Sequence, residues 1–288
     1  MLIPVVLILV LRAPVAVLAL VAGAVALLAI HELLKLAEGY NIHPLRAPTH
    51  IYCALIFILI AVYPGTTDAL STSGFAYFAL GAAMLAPFIF LALAMRSKEL
   101  ASGFSAAMVS AFAVVYIALP MASLVQMREQ WRGAFFVLYL LLLVWAGDIF
   151  AYFIGKAFGR HRMSPRVSPK KTWEGAVASV VASVAVGIAM FSSAPAISSS
   201  LMRLHLIEQK DGIFTTPSSL ASIIVLSIVL NVAAQFGDLV ESLIKRGAGM
   251  KDSGAILPGH GGMLDRIDAL LFAAPVLWCY MAWGVMMQ

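Results

Sequence analysis

The feature that most constrains this chain is the recurrence of long apolar runs with hardly a charge inside them. They fall at about residues 2–11, 14–31, 50–64, 74–95, 104–125, 134–155, 175–193, 218–238 and 267–287. A run of roughly 18 or more apolar residues is long enough to cross the hydrocarbon of a bilayer as a helix. In that solvent every backbone N–H and C=O must be satisfied within the protein, which leaves helices and closed barrels as the spanning structures. A barrel would show strands of about ten residues with alternating apolar and polar positions, whereas these runs are continuous in Leu, Ala and Val. The sequence therefore predicts an all-α integral membrane protein, a polytopic bundle of about eight or nine transmembrane helices. The first run is short for a span, and Pro14 can end a helix there. Its first positive charge, Arg12, follows the apolar stretch instead of preceding it, so an anchor is expected and not a secretory signal. Small residues such as Gly81, Ala82, Ala83 and Ala86 suit close helix packing in lipid.

The chain is 62% hydrophobic and 11% charged, against about 25% charged residues in a soluble domain, so water is not its main solvent. Cys53 and Cys279 both lie in apolar runs, and no disulfide framework is expected. The net charge of +5 does not indicate nucleic acid, because the basic residues sit in short loops between runs. Positive charge is retained on the cytoplasmic side of a membrane. With the loops after the second, fourth, sixth and eighth runs on that side, it holds Lys35, Arg46, Arg96, Lys98, Lys156, Arg160, Arg162, Arg166, Lys170, Lys171, Lys245, Arg246, Lys251 and Arg266. The other side holds Arg12, Arg128, Arg132, Arg203 and Lys210. Loops 156–174 and 239–266 are thus expected to face the cytoplasm. Residues 192–200 and 211–219 read as irregular loop on the opposite face.

Half of the acidic residues lie in or beside those two cytoplasmic loops: Asp148, Glu174, Asp238, Glu241, Asp252, Asp265 and Asp268. Asp238 ends one apolar run while Asp265 and Asp268 begin the next, which brings all three to one membrane face. Asp238 and Glu241 are three residues apart, as are Asp265 and Asp268, so each pair shares a helical face. Convergent carboxylates can hold a hard cation such as Mg2+, which takes oxygen ligands and leaves positions for phosphates; helix caps and ion pairs to Lys245, Arg246 or Arg266 would use the same letters. Asp148 lies inside an apolar run, where an ionisable group costs at least about 2.5 kcal/mol unless water or a partner meets it. A structural pair with a basic residue is the alternative there. The stretches Lys245–Gly262 and Ser168–Gly175 join glycine or proline to lysine, a mixture suited to a polyphosphate. Neither contains a P-loop or a dinucleotide fingerprint. His260, between Pro258-Gly259 and Gly261-Gly262, is open to either a site role or a structural hydrogen bond. The other histidines show no metal-ligand spacing.

The segment SLIKRGAGMKDSGAILPGHGGMLDRID, Ser242 to Asp268, resembles the signature of the phosphatidate cytidylyltransferase family along its whole length. GDIFAYFIGKAFGRH from Gly147, SPKKTWEG from Ser168 and QFGDLVES from Gln235 fit the same family's pattern. The resemblance covers about residues 135–275; the first 130 residues resemble the family only as a series of apolar helices. It implies transfer of a cytidylyl group from CTP to phosphatidic acid, with pyrophosphate leaving, for phospholipid biosynthesis. It further implies Mg2+, with or without a second cation, held by Asp238, Asp265 and Asp268. Lys170, Lys171, Glu241, Ser242, Lys245, Arg246, Lys251, Gly261, Gly262 and Arg266 would bind substrate. Asp148, Lys171, Asp238, Lys245, Arg246, Asp252, His260, Asp265 and Asp268 would form the catalytic set. The family implies a homodimer among membrane lipids, in a bacterial inner membrane with its site on the cytoplasmic side and no nucleic-acid partner. The expected organisation is a block of membrane helices over 1–133 and a catalytic membrane region over 134–288.

Two other functions would draw on similar residues. A CTP-dependent kinase for a lipid alcohol needs the same carboxylates and cations. A divalent-cation transporter would use Asp148 and the interfacial acids, but lysines in the loop 239–266 would repel its cargo. The DGxxAR signature of CDP-alcohol phosphotransferases is missing.

Overall fold

The computed structural model describes residues 2–62, 72–96, 100–215, 219–254 and 261–286. The chain is helical almost throughout: α1 Leu2–Arg12, α2 Val15–Glu38, α3 Arg46–Val62, α4 Thr72–Ala94, α5 Leu100–Ala113, α6 Leu119–Glu129, α7 Gly133–Phe158, α8 Trp173–Ser192, α9 Ala194–Arg203, α10 Leu220–Gly247 and α11 Leu264–Met286. Each apolar run of the sequence has become a helix. Among the described residues, α2, α4, α7, α8, α10 and α11 are long and apolar enough to cross a membrane, and α5 and α6 together, with the turn between them, make a seventh such span. α3 is a shorter apolar helix of 17 residues, and α1, with 11, rises only about 16 Å at 1.5 Å per residue. The protein is an all-α membrane protein on this ground.

Three elements depart from the sequence expectation. A two-stranded antiparallel hairpin, β1 Arg162–Ser164 and β2 Ser168–Thr172, occupies the loop after α7, with Arg162 opposite Thr172 and Ser164 opposite Ser168. The segment read as irregular over 192–200 is instead largely α9, which begins with Pro195 in its first turn, where a missing N–H costs nothing. Between α5 and α6 a π-helical turn spans Val114–Ala118, just before Pro120. A proline ring cannot donate to the ladder and crowds the preceding turn, and a wider turn of this kind relieves both problems.

Two compact units divide the chain, and neither follows a single cut in the sequence. The first comprises residues 1–14, 127–239 and 272–288; the second comprises 15–126 and 240–271. Helices α10 and α11 therefore contribute to both. In the first unit α7, α8 and α10 pack closely. A Cβ at Gly147 of α7 would lie 2.6 Å from Asn231 Nδ2 of α10 and 2.8 Å from Ser179 Oγ of α8, so glycine is what admits those polar side chains. Asn231 Nδ2 donates to Ser179 Oγ and Ser183 Oγ, each at 2.8 Å. Such interhelical bonds hold helices together where lipid offers no hydrophobic drive.

At the other end of this unit the buried Arg128 donates from Nε to the Val10 carbonyl at 2.5 Å and from Nη2 to that of Leu11 at 2.9 Å. It also pairs with the buried Asp211 at 2.9 Å, so its charge and the orphan carbonyls at the end of α1 are satisfied together. Arg12 donates to the His205 carbonyl at 2.6 Å. The ends of α1 and α6 and the segment after α9 thus gather at one place.

In the second unit α2 packs on α3, and a Cβ at Gly23 would sit 2.8 Å from Phe57 Cβ. The part of α10 in this unit ends in a Schellman cap. Met250 N–H returns to the Lys245 carbonyl at 2.9 Å and Gly249 N–H to that of Arg246 at 3.0 Å. Gly249 takes φ +71°, the left-handed conformation this cap requires. Lys245 and Arg246 occupy the last turn, where cations complement the helix dipole.

Candidate active site

In the first unit Lys171 of β2 is the centre of a small charged group. Its Nζ lies 2.5 Å from Asp238 Oδ2 on α10 and 3.5 Å from the Gln235 carbonyl one turn earlier. Asp148, on α7, lies within electrostatic range of both Asp238 and Lys171, so the acid inside the apolar run has the cationic neighbour its position demands. Gln235 Nε2 donates to Asn231 Oδ1 at 2.6 Å and to the Ala176 carbonyl at 3.2 Å. A polar seam therefore runs along α10 from Asn231 to Asp238 and ties it to α8.

The hairpin places Lys171 because its far end is anchored. Thr172 Oγ1 accepts from Gly175 N–H at 3.2 Å as the N-cap of α8. Glu174, in the first turn, accepts from His161 N–H at 3.2 Å and lies 2.7 Å from its Nδ1. Lys170, the neighbour of Lys171, is exposed.

In the second unit the end of α10 faces the start of α11. Lys245 Nζ lies between two carboxylates: it pairs with the buried Glu241 one turn back, and with Asp265 Oδ1 at 2.5 Å. Asp265 Oδ2 accepts from Gly262 N–H at 2.7 Å and Ser253 N–H at 3.1 Å, and lies 3.0 Å from Ser253 Oγ. Both Asp265 oxygens are thus engaged. Glu241 differs: its carboxylate is buried, and Oε2 is taken by the ion pair to Lys245. Glu241 and Asp268 offer carboxylate oxygens within 4.8 Å of one another. Asp238 stands one turn before Glu241 on α10.

Arg246, Lys251, Asp252 and Arg266 are exposed around this group, and Ser242 is half-buried beside Glu241. Gly261 takes φ +78°, with Asp265 Oδ2 2.8 Å from where its Cβ would stand. His260 lies outside the described residues. Sequence reasoning missed Glu32, which is buried on α2 and accepts from the Met263 and Leu264 N–H groups at 2.9 and 2.8 Å. The signal was present, since the argument from the cost of an acid in an apolar helix that marked Asp148 applies equally to Glu32 in AIHELL.

The interlocked acids and ammonium groups thus lie on the polar ends of apolar helices in a membrane protein. The comparison with known proteins narrows this. The model of the cytidylyltransferase family matches residues 1–283, and the chain belongs to that family. A phosphatidate cytidylyltransferase of Staphylococcus haemolyticus is 32% identical over 252 residues, 88% of this chain and 85% of that protein. Others of the same description, from Haemophilus influenzae and Brucella abortus, are 35% identical over 148 residues and 40% identical over 144. Those two alignments span 46% of the length of each relative, and about half of this chain.

Proposed function

We propose that this protein transfers the cytidylyl group of CTP to phosphatidic acid, releasing pyrophosphate and leaving CDP-diacylglycerol in the bilayer. The observation that carries the reading is the meeting of Glu241, Lys245, Asp265 and Asp268 where α10 and α11 begin and end, within a chain matched end to end by the family. The phosphate of phosphatidic acid is a monoester with a second pKa near 6, already largely dianionic at neutral pH, so a general base is not the central need. The obstacle is bringing one anion onto another. Lys245, held by two carboxylates, is a pre-positioned ammonium that can meet a phosphate oxygen without first paying to be ordered. Lys171 is held in the same manner by Asp238.

The acids fit a hard divalent cation. Glu241 is buried and Asp268 offers a carboxylate oxygen within 4.8 Å of it; an all-oxygen set of this kind suits Mg2+. Glu241 and Asp268 would hold it. Asp265 enters this scheme as the partner of Lys245. The bound ion would neutralise charge on the triphosphate. Lys170, Arg246, Lys251 and Arg266 supply further cations for phosphate oxygens, and Asp148 orients Lys171. Asp252, Ser242, Gly261, Gly262 and His260 complete the substrate loop.

The site is assigned to the cytoplasmic side of a bacterial inner membrane, because the lysines and arginines of loops 156–174 and 239–266 would be retained there and CTP is soluble. The family resemblance supports a homodimer. The test is conversion of α-labelled CTP by the purified protein with phosphatidic acid. Label should enter the lipid, and pyrophosphate should be released.

A further inference from the structure

Glu32 lies on α2, 221 residues before Ser253 and 232 before Leu264, yet its buried carboxylate sits among the signature residues. Oε1 accepts from Met263 N–H at 2.9 Å and Oε2 from Leu264 N–H at 2.8 Å. These amides open α11 and have no partner inside their own helix, so an anion there satisfies them and favours the helix dipole. Oε2 also lies 2.9 Å from Ser253 Oγ, on the segment that follows the cap of α10. One carboxylate therefore ties the chain leaving α10 to the chain entering α11.

The glycines bear this out independently. A Cβ at Gly254 would stand 2.8 Å from Glu32 Cδ, and one at Gly262 would stand 2.7 Å from the same atom. Gly254 leaves room for Glu32, and Gly262 leaves room for Ser253 Oγ, its nearest neighbour, and for Glu32. From it the contacts continue through Ser253, whose single hydroxyl proton serves Glu32 or Asp265, to Asp265 and then to the Lys245 ammonium at 2.5 Å.

We propose that Glu32 is a positioning residue of the transfer site: it ties residues 253–254, after α10, to residues 262–264, at the start of α11, and through Ser253 and Asp265 it positions the Lys245 ammonium. The catalytic consequence rests on the cytidylyl-transfer reading; the anchoring of the loop does not. The N-terminal membrane helices then contribute a side chain to the reaction centre as well as an anchor.

The test uses Glu32→Gln and Ser253→Ala in the full chain, in lipid nanodiscs, with two readouts. Gln keeps the size of Glu but loses its charge and turns an NH2 toward one of the two amides it must cap. Amide exchange at Ser253, Met263 and Leu264 should become about tenfold faster or more in Glu32→Gln, while α8 exchanges as in the unsubstituted protein. In the folded fraction kcat should fall about 100-fold, the scale of a 1 Å misplacement, with KM for phosphatidic acid unchanged. The double variant should be no worse than Glu32→Gln alone, because both act through one network. A purely structural acid would lower the melting midpoint and leave kcat of the folded fraction intact, and that result would overturn the proposal, as would unchanged exchange at the three amides. If Glu32→Gln does not fold, Ser253→Ala carries both readouts with the same expectations. Should the unsubstituted protein make no CDP-diacylglycerol, the function reading fails on that control, and the exchange measurement still decides whether Glu32 holds the loop.

Discussion

Asp265 and Asp268 are three residues apart and serve different ends. Asp265 has both oxygens committed, to Lys245 on one side and to Gly262 and Ser253 on the other. Asp268 faces Glu241. Asp268→Asn should therefore purify as a folded protein with turnover reduced by about 10²-fold or more, partly recovered by raising Mg2+, since it removes one negative ligand at nearly constant volume. Asp265→Asn should lose turnover and also melt at a lower temperature, because Lys245 keeps only Glu241 as a partner and the Gly262 and Ser253 amides lose a charged acceptor. Steady-state kinetics across a Mg2+ series, set beside thermal unfolding of each variant, separates the two. Full activity in Asp268→Asn at low Mg2+ would remove it from the metal set. That both carboxylates share a helical face was legible, because i, i+3 spacing does not depend on the rest of the chain. The choice of partners was not. It is set by Lys245 and Ser253, 20 and 12 residues away, and sequence spacing cannot say which carboxylate the ammonium will choose.

At the scale of elements, the apolar runs located the helices, but polar helix ends escaped. The run ending at 238 becomes α10 through Gly247, because Leu239, Val240, Leu243 and Ile244 keep an apolar stripe while Glu241, Lys245 and Arg246 share the remaining faces. In the same way α2 continues past its apolar run to Glu38, which is what carries Glu32 into the helix. The hairpin β1–β2 has too few residues and too many charges to show a strand period, and its register depends on the anchoring of Thr172 and Glu174. Gly249 offers a direct check on the α10 cap. Its left-handed φ favours glycine, yet nothing stands within 4 Å of where its Cβ would be. Gly249→Ala should cost only the backbone term, about 1–2 kcal/mol, seen as a modest fall in the melting midpoint with the reaction retained. Gly262→Ala, which meets Glu32 directly, should cost more and reduce turnover as well. Equal effects of the two would contradict the packing around Glu32.

For the whole molecule, orientation in the membrane follows from charge. In the proposed orientation the exposed tip of the β1–β2 hairpin would lie on the side rich in lysine and arginine, and Leu204, 66% exposed after α9, on the other. With Cys53 and Cys279 replaced, a cysteine introduced at Leu204 should react with a membrane-impermeant thiol reagent in intact cells. One introduced at Arg166 should react only after permeabilisation. The reverse pattern would turn the protein over and place its acids and lysines away from cytoplasmic CTP. The most direct measurement of the central claim is the fate of CTP labelled at its α-phosphate, incubated with purified protein, Mg2+ and phosphatidic acid. Label should appear in a lipid-soluble CDP-diacylglycerol with one equivalent of pyrophosphate, and substitution of diacylglycerol for phosphatidic acid should abolish the reaction. Release of labelled CDP together with a phosphorylated lipid would show that the γ-phosphate had moved, and would contradict the account.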